Sequence, residues 1–233
     1  MLYPPEARTL DAARRLATTL PPNDTHTVAA AAMDTTGRIH TGVNVHHFTG
    51  GPCAELVVLG VAAAAHAGPL VTIAAVGDNG RDVLAPCGRC RQVLLDLHPD
   101  VRVVLPGPQD APIHHLLPHA YRHPDAAPER LVRFSPAYYD AVLDGRKSAT
   151  LRWDDPVEPG PAWLLFEDDD QYRRLPGVVE QVTPVRLEQL TRQDLDRENA
   201  TDLDSLRAGL RGHYPDLPED AVLDLVTFHL HEP

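Results

Sequence analysis

Cys53-x-Glu55, followed by Pro86-Cys87-x-x-Cys90, constrains this chain more than any other feature. These are all of its cysteines, and a fold that uses them together must bring Cys53 back to Cys87 and Cys90. Thiolates are strong zinc ligands, and three protein ligands leave one tetrahedral position open for water. Such a water becomes a nucleophile near neutral pH if a carboxylate takes and returns its proton, and Glu55 is placed to do so. A structural zinc usually has four protein ligands, whereas the cysteines supply three. The pattern therefore points to a catalytic zinc rather than a stapling one.

The surrounding sequence fits an α/β layout. Residues 6–19 carry Leu10, Ala13 and Leu16 at helical spacing, and the Pro21-Pro22-Asn23-Asp24 run ends that helix. Residues 27–33 and 39–48 are predicted strands joined by a turn at 34–37. Gly50-Gly51-Pro52 breaks the second strand, and residues 53–66, rich in Ala, Leu and Val, read as a buried helix. A strand at 71–76, a polar loop at 77–82, a helix at 88–97 and a strand at 101–105 follow. A short helix around Leu116-Leu117 closes the first domain. Both halves of the cysteine motif then fall at strand-to-helix junctions, where backbone N–H groups and two helix dipoles converge on the metal. Arg89, between the later cysteines, would relieve the excess negative charge of three thiolates and a hydroxide.

With 233 residues, the chain has room for two domains of about a hundred residues each. No apolar run reaches the roughly 18 residues that span a bilayer, and the start MLYPPEARTL lacks the features of a secretory signal. A cytoplasmic, reducing location follows, in which thiols serve as metal ligands rather than disulfides. The formal charge of −12 is uneven: residues 1–124 hold 9 basic and 10 acidic side chains, and residues 125–233 hold 12 and 23. An acidic second half repels phosphate backbones, which argues against nucleic acid as a partner but not against a neutral nucleoside.

The stretches TGVNVHHFTGGPCAELVVLG, APCGRCRQVLLDLHP and LLPHAY resemble the blasticidin S deaminases of the cytidine deaminase family, over roughly residues 10–121. The Cys-x-Glu and Pro-Cys-x-x-Cys spacing is the zinc deaminase pattern. The resemblance implies a mixed five-stranded sheet flanked by helices, assembled as a homo-oligomer, a tetramer or a dimer. It implies zinc on Cys53, Cys87 and Cys90, with Glu55 shuttling a proton while carbon 4 of a cytosine ring loses its amino group. Asn44 matches the family's sugar-side asparagine, and Thr27, Arg81 and Tyr121 match pocket positions. The sequence departs from the nucleoside enzymes at His46, where they carry a glutamate that grips ribose hydroxyls. His46 thus becomes a candidate substrate contact.

Residues 123–130, HPDAAPER, read as a linker between a domain at 1–122 and another at 131–233. Beyond it, Ser135 is a predicted N-cap with Pro136 at the first helical position, and the helix ends near Gly145. The second domain opens on the apolar run 131–134, and strands are predicted at 149–153, 162–166, 177–182 and 222–230, with a helix near 201–210. The acidic run at 167–170 reads as a solvated hairpin tip. FSPAYYDAVLDGRKSATLR and DRENATDLDSLR resemble the ASCH domain, a small PUA-like β-barrel. In the N(4)-acetylcytidine amidohydrolases of that group, a Gly-Arg-Lys-x-x-Thr loop and a later Glu-Asn carry the reaction, which implies roles for Lys147, Thr150 and Glu198. Lys147 is the only lysine beside 20 arginines, and an amine is a base that a guanidinium cannot imitate. The expectation is thus a cytosine nucleoside deaminase fused to a deacylating domain. The alternative is an RNA-associated deaminase whose ASCH domain only binds RNA or nucleoside.

Overall fold

Alanine sets the spacing of the first unit. In the computed structural model, which describes residues 2–22, 24–107, 109–122, 127–168 and 172–231, strand β1 (Val28–Asp34) reads VAAAAMD. Ala29, Ala30, Ala31 and Ala32 are all fully buried. Successive strand residues face opposite sides of a sheet, so β1 has no solvent face at all. Ala29 and Ala31 pack with Leu10, Ala13 and Ala17 of helix α1 (Pro4–Thr18). Ala30 and Ala32 pack with Val58 and Leu59 of α2 (Ala54–Ala64) and Leu94 and Leu95 of α3 (Gly88–Leu97). Strand β3 (Leu70–Gly77) repeats the division, with Ala74 and Val76 toward α1 and Ile73 and Ala75 toward α2 and α3. The result is three layers, with the two helices of the cysteine motif on one face.

The sheet order is β2-β1-β3-β5-β6, where β2 is Ile39–Val43, β5 is Arg102–Leu105 and β6 is Gln109–Pro112. A two-residue β4 (Asp82–Val83) hangs off β3, making six strands where five were expected. Strands β3 and β5 run parallel, whereas β1 pairs with β2 and β3, β3 with β4, and β5 with β6 in antiparallel fashion, so the sheet is mixed. Strand β6, QDAP, was not legible in the sequence, since it is polar and contains a proline; such a strand fits only a sheet edge, where it lies. The predicted helix at Leu116-Leu117 is a 3-10 turn at Ile113–Leu116. Strand β2 stops at Val43, five residues short of expectation, because the Asn44 side chain takes over the next backbone donors: its Oδ1 accepts from Thr27 N at 2.7 Å and Val28 N at 2.8 Å.

The turn between β1 and β2 is held by a buried carboxylate. Burial alone would raise the Asp34 pKa, yet hydrogen bonds from Thr36 Oγ1 (2.6 Å), His40 (2.8 Å) and the Thr36 and Arg38 backbone bring it down to about 2. The folded-state value lies below the unfolded value of about 3.9, so this stabilisation is complete above pH 4 and is lost as pH falls toward 2. Asp34→Asn is therefore expected to cost about 2–3 kcal/mol at pH 7. It should also flatten the acid limb of a stability curve between pH 4 and 2, read by denaturant unfolding at stepped pH; an unchanged limb would assign acid sensitivity to other groups.

The chain divides into two compact units, Met1–Leu131 with Asp168–Arg173, and Val132–Glu167 with Arg174–Pro233. Part of the expected linker, residues 123–126, lies outside the described residues, as do residues 169–170 of the acidic run. In the second unit, Ser135 Oγ accepts from Ala137 N as an N-cap, opening a 3-10 turn at Pro136–Tyr138 and a short α4 (Tyr139–Leu143). Its sheet has the order β7-β9-β10-β11-β8, open at both ends and curled into a half-barrel. The strands are β7 (Arg130–Phe134), β8 (Ala149–Arg152), β9 (Gly160–Glu167), β10 (Tyr172–Val185) and β11 (Leu223–Leu230). Two helices were expected here and three α-helices are present. The unforeseen one, α5 (Arg192–Glu198), is polar but for Leu195 and starts on a Thr191–Asp194 capping box; α6 (Leu203–His213) follows. Among the described residues, no helix is long and apolar enough to cross a membrane.

Candidate functional site

The site begins with a close approach of two backbone segments. Val45 N donates to Pro52 O at 3.0 Å, and a Cβ on Gly51 would stand 1.5 Å from Val45 O. Only glycine fits there, a requirement hidden in a run that reads merely as a strand breaker. The crossing delivers the chain into α2 with Cys53 as its N-cap residue and Glu55 in its first turn. Helix α3 starts the same way, with Cys87 as N-cap residue and Cys90 inside the helix. Its start is pinned by Arg91, whose side chain donates to Pro86 O at 2.9 Å and Leu116 O at 2.8 Å. Sequence reasoning missed Arg91 because nothing separates it from the chain's many other arginines.

The three sulfurs converge. Cys53 and Cys87 Sγ are 3.8 Å apart, Cys87 and Cys90 Sγ 3.5 Å, and all three lie within 4.8 Å of one another. A tetrahedral zinc with Zn–S bonds of about 2.3 Å sets its sulfurs about 3.8 Å apart, so the triangle has the size of a zinc site. Charge supports the same fit. Burial, then the Glu55 charge and the neighbouring sulfurs, pushes the Cys90 thiol up, and burial above all pushes Cys53 up. At Cys87 burial is outweighed by hydrogen bonds from Cys90 and Cys53, which lower its thiol; two thiols that resist ionisation beside one that yields make a set that a divalent cation completes. Glu55 is itself only 7% exposed; burial raises its pKa, and a hydrogen bond with Cys90 opposes that shift.

The expected pocket residues fall into two groups. Thr27, Asn44 and Arg81 form one cluster: Thr27 N donates to Asn44 Oδ1, while Arg81 Nη2 donates to Thr27 O and to Asp78 Oδ1, both at 2.5 Å. Asn44 joins this cluster to the metal site through its neighbour Val45. Its carbonyl oxygen accepts from two backbone N–H groups, and its amide N–H₂ donates to Thr25 O at 3.4 Å. His46, Arg89 and Tyr121 are exposed. Tyr121 is tied to α3 by its backbone oxygen, which accepts from Gln92 Nε2 at 2.9 Å. No hydrogen bond joins these three side chains to the sulfurs among the described residues.

No family model matches the chain. A cytidine deaminase from Mycobacterium tuberculosis is 39% identical over 106 residues, which cover 44% of this chain and 78% of that protein. The chain belongs to the cytidine deaminase family. Among solved structures, the cytidine deaminase from Mycobacterium tuberculosis is similar over 49% of this chain and 95% of its own length, at 33% identity and a TM-score of 0.44. An ASCH domain from Lactobacillus crispatus is similar over 43% of this chain and 79% of its own, at 13% identity and a TM-score of 0.37. The match to the cytidine deaminase lies in the unit that holds the sulfur triangle, and the second unit carries a separate cluster.

There, Lys147 is 2% exposed and donates from Nζ to Glu198 Oε2 and, at 3.0 Å, to Glu198 O. The other carboxylate oxygen of Glu198 accepts from Leu151 N at 2.9 Å. Helix α5 delivers Glu198 as its last residue, and Asn199 turns the chain away in the left-handed region. Burial, then the charge of Arg152, draws the Lys147 amine down to about 7. Thr150 is buried on β8 and hydrogen-bonds to neither member of the pair. Two of the three expected residues are thus bonded to each other, and Thr150 precedes Leu151, whose N–H holds the same carboxylate.

Proposed function

We propose that the first unit is a zinc-dependent hydrolase that converts a cytosine nucleoside or analogue, such as cytidine, deoxycytidine or blasticidin S, to its uracil form. The observation that carries it is the sulfur triangle of Cys53, Cys87 and Cys90 with Glu55 buried beside it, in a chain of the cytidine deaminase family. Zinc bound there makes water a nucleophile near neutral pH. Glu55 takes one proton from the attacking water and passes it to the ring nitrogen, then takes the second from the oxygen on carbon 4 and gives it to the departing amine, so the ring keeps a carbonyl oxygen and ammonia leaves. Its buried position keeps bulk water from competing for that proton. Arg89 offsets the negative charge of the thiolates, and Thr27, Asn44, His46, Arg81 and Tyr121 line the side of the substrate away from the ring. The enzyme works in the cytoplasm as a homo-oligomer, a tetramer or a dimer through this unit.

The second unit, in the same proposal, hydrolyses N(4)-acetylcytidine to cytidine and acetate, with Lys147 as base, Thr150 as nucleophile and Glu198 orienting the amine. The burial of the only lysine against a carboxylate favours this reading over a site that merely binds RNA. The product of one unit is then a substrate of the other. Incubation with cytidine, deoxycytidine, blasticidin S and N(4)-acetylcytidine, followed by ultraviolet spectra with ammonia and acetate assays, tests both halves. Ammonia from none of the cytosine compounds by zinc-loaded protein would sink the first, and an absence of acetate the second. Salt-dependent binding of single-stranded RNA would instead favour the RNA-associated alternative.

His46 separates substrates. Restoring the family's carboxylate with His46→Glu is expected to raise kcat/KM for cytidine about 10- to 100-fold, the worth of a hydrogen bond to a charged group. Blasticidin S, which lacks ribose, should gain nothing. Equal changes for both in steady-state kinetics would remove His46 from the sugar side.

A further inference from the structure

The buried Lys147–Glu198 pair has an aromatic entrance. The Tyr138 ring centroid lies 4.8 Å from Lys147 Nζ, and the His213 ring stands 6.4 Å from Tyr138 at an interplanar angle of 47°. Exposure grows outward along this line: Lys147 and Thr150 are buried, Tyr138 is half-buried and His213, at the end of α6, is exposed. The two rings come from segments far apart in sequence and splay rather than stack on each other, with the amine over the Tyr138 ring. A flat ring inserted between two others needs roughly 7 Å between their planes, at ordinary contact distances, so a base enters only when the exposed imidazole swings outward from its 6.4 Å centroid separation. Burial, then the charges of Arg152 and Lys147, draws the His213 pKa down, which favours an uncharged stacking surface at neutral pH.

The charges beside the two rings are largely matched, although Arg152 Nε is buried without a hydrogen-bond partner among the described residues. Lys147 is paired with Glu198, and Arg152 Nη1 with Asp155 Oδ2 at 2.8 Å, while Arg152 Nη2 donates to Arg133 O. Arg146, next to Lys147, is exposed and bonded to Asp144 at 2.8 Å. A phosphate entering here would find each of these cations facing a carboxylate, and the chain from residue 125 onward holds 23 acidic against 12 basic residues.

We propose that Tyr138 and His213 form a clamp that takes the flat, uncharged base of an N-acylated pyrimidine nucleoside, turns its acyl group toward Lys147, and discriminates against the 5′-phosphorylated form. This rests on the deacylating role proposed above for the second unit. Tyr138 and His213 are then specificity-determining residues that bind the leaving base and move no proton.

The full-length protein carrying Thr150→Ala, which keeps Lys147 and Glu198 in place, is titrated calorimetrically with N(4)-acetylcytidine and with its 5′-monophosphate. Acetate release is followed in parallel with Thr150 intact. His213→Ala and Tyr138→Ala are each expected to weaken binding and raise KM about 5- to 150-fold, the range for loss of one base-stacking surface, with kcat for His213→Ala within about threefold. His213→Phe and Tyr138→Phe should restore most of the loss, and the monophosphate should bind at least tenfold more weakly than the nucleoside. Ring-independent binding, or preference for the monophosphate, overturns the clamp while acetate release continues. Ring-dependent binding without acetate release overturns the hydrolytic role and leaves the clamp standing. Absence of both binding and release overturns both.

Discussion

Glu55→Ala is expected to lower ammonia release from the best cytosine substrate by two to four orders of magnitude, the usual worth of a general acid–base group. The zinc content should stay at one per chain, because the three thiols lie on other residues and the helix that starts at Cys53 loses only a side chain. Glu55→Gln tests the same proton transfer with the shape kept, and it should be almost as slow. Metal analysis beside the kinetics decides the matter. Loss of zinc together with activity would make Glu55 a ligand or a structural prop, and retention of both would remove Glu55 from the proton transfer. Cys87→Ala gives the contrasting result: zinc and activity fall together.

Lys147→Ala should abolish acetate release from N(4)-acetylcytidine, with a loss of about 10²- to 10⁴-fold, while deamination of the preferred cytosine compound is unchanged. Lys147→Arg is the sharper variant. Guanidinium keeps the charge and the carboxylate partner but stays protonated at any working pH, so it should be as inactive as alanine. The amine titrates near 7 because burial disfavours its charged form. As a base it must be neutral, so deacylation should rise through pH 7 and level off above it. A rate that falls across that range, or an active arginine variant, would exclude Lys147 as the base.

Much of the metal site was legible in the sequence because its parts are local. Cys53-x-Glu55 and Pro86-Cys87-x-x-Cys90 each occupy the start of one helix, and helix starts leave clear marks in composition. The helix at 88–97 was placed to the residue for the same reason. What stayed hidden depends on contacts between distant segments. The end of β2 is decided by Asn44 reaching Thr27 and Val28, and strand propensity carries no trace of that hydrogen bond. The need for Gly51 arises from Val45 crossing beside it. In the second unit, α5 lacks apolar periodicity and exists through its caps, so Glu198 was found as a motif residue while the helix that presents it was not. His213 and Tyr138 meet only in three dimensions.

The four alanines of β1 bear on evolvability as well as packing. Each puts a single methyl between the sheet and the helices it carries, and α2 and α3 rest together on the face lined by Ala30, Ala32 and Ala75. The helix starts hold the sulfurs, so the thickness of that methyl layer acts as a shim under the metal triangle. Thickening it at one point tilts one helix against the other and opens the triangle without touching a ligand. Substitutions that enlarge these buried alanines therefore need compensating losses of volume in α2 or α3 if the triangle is to keep its size.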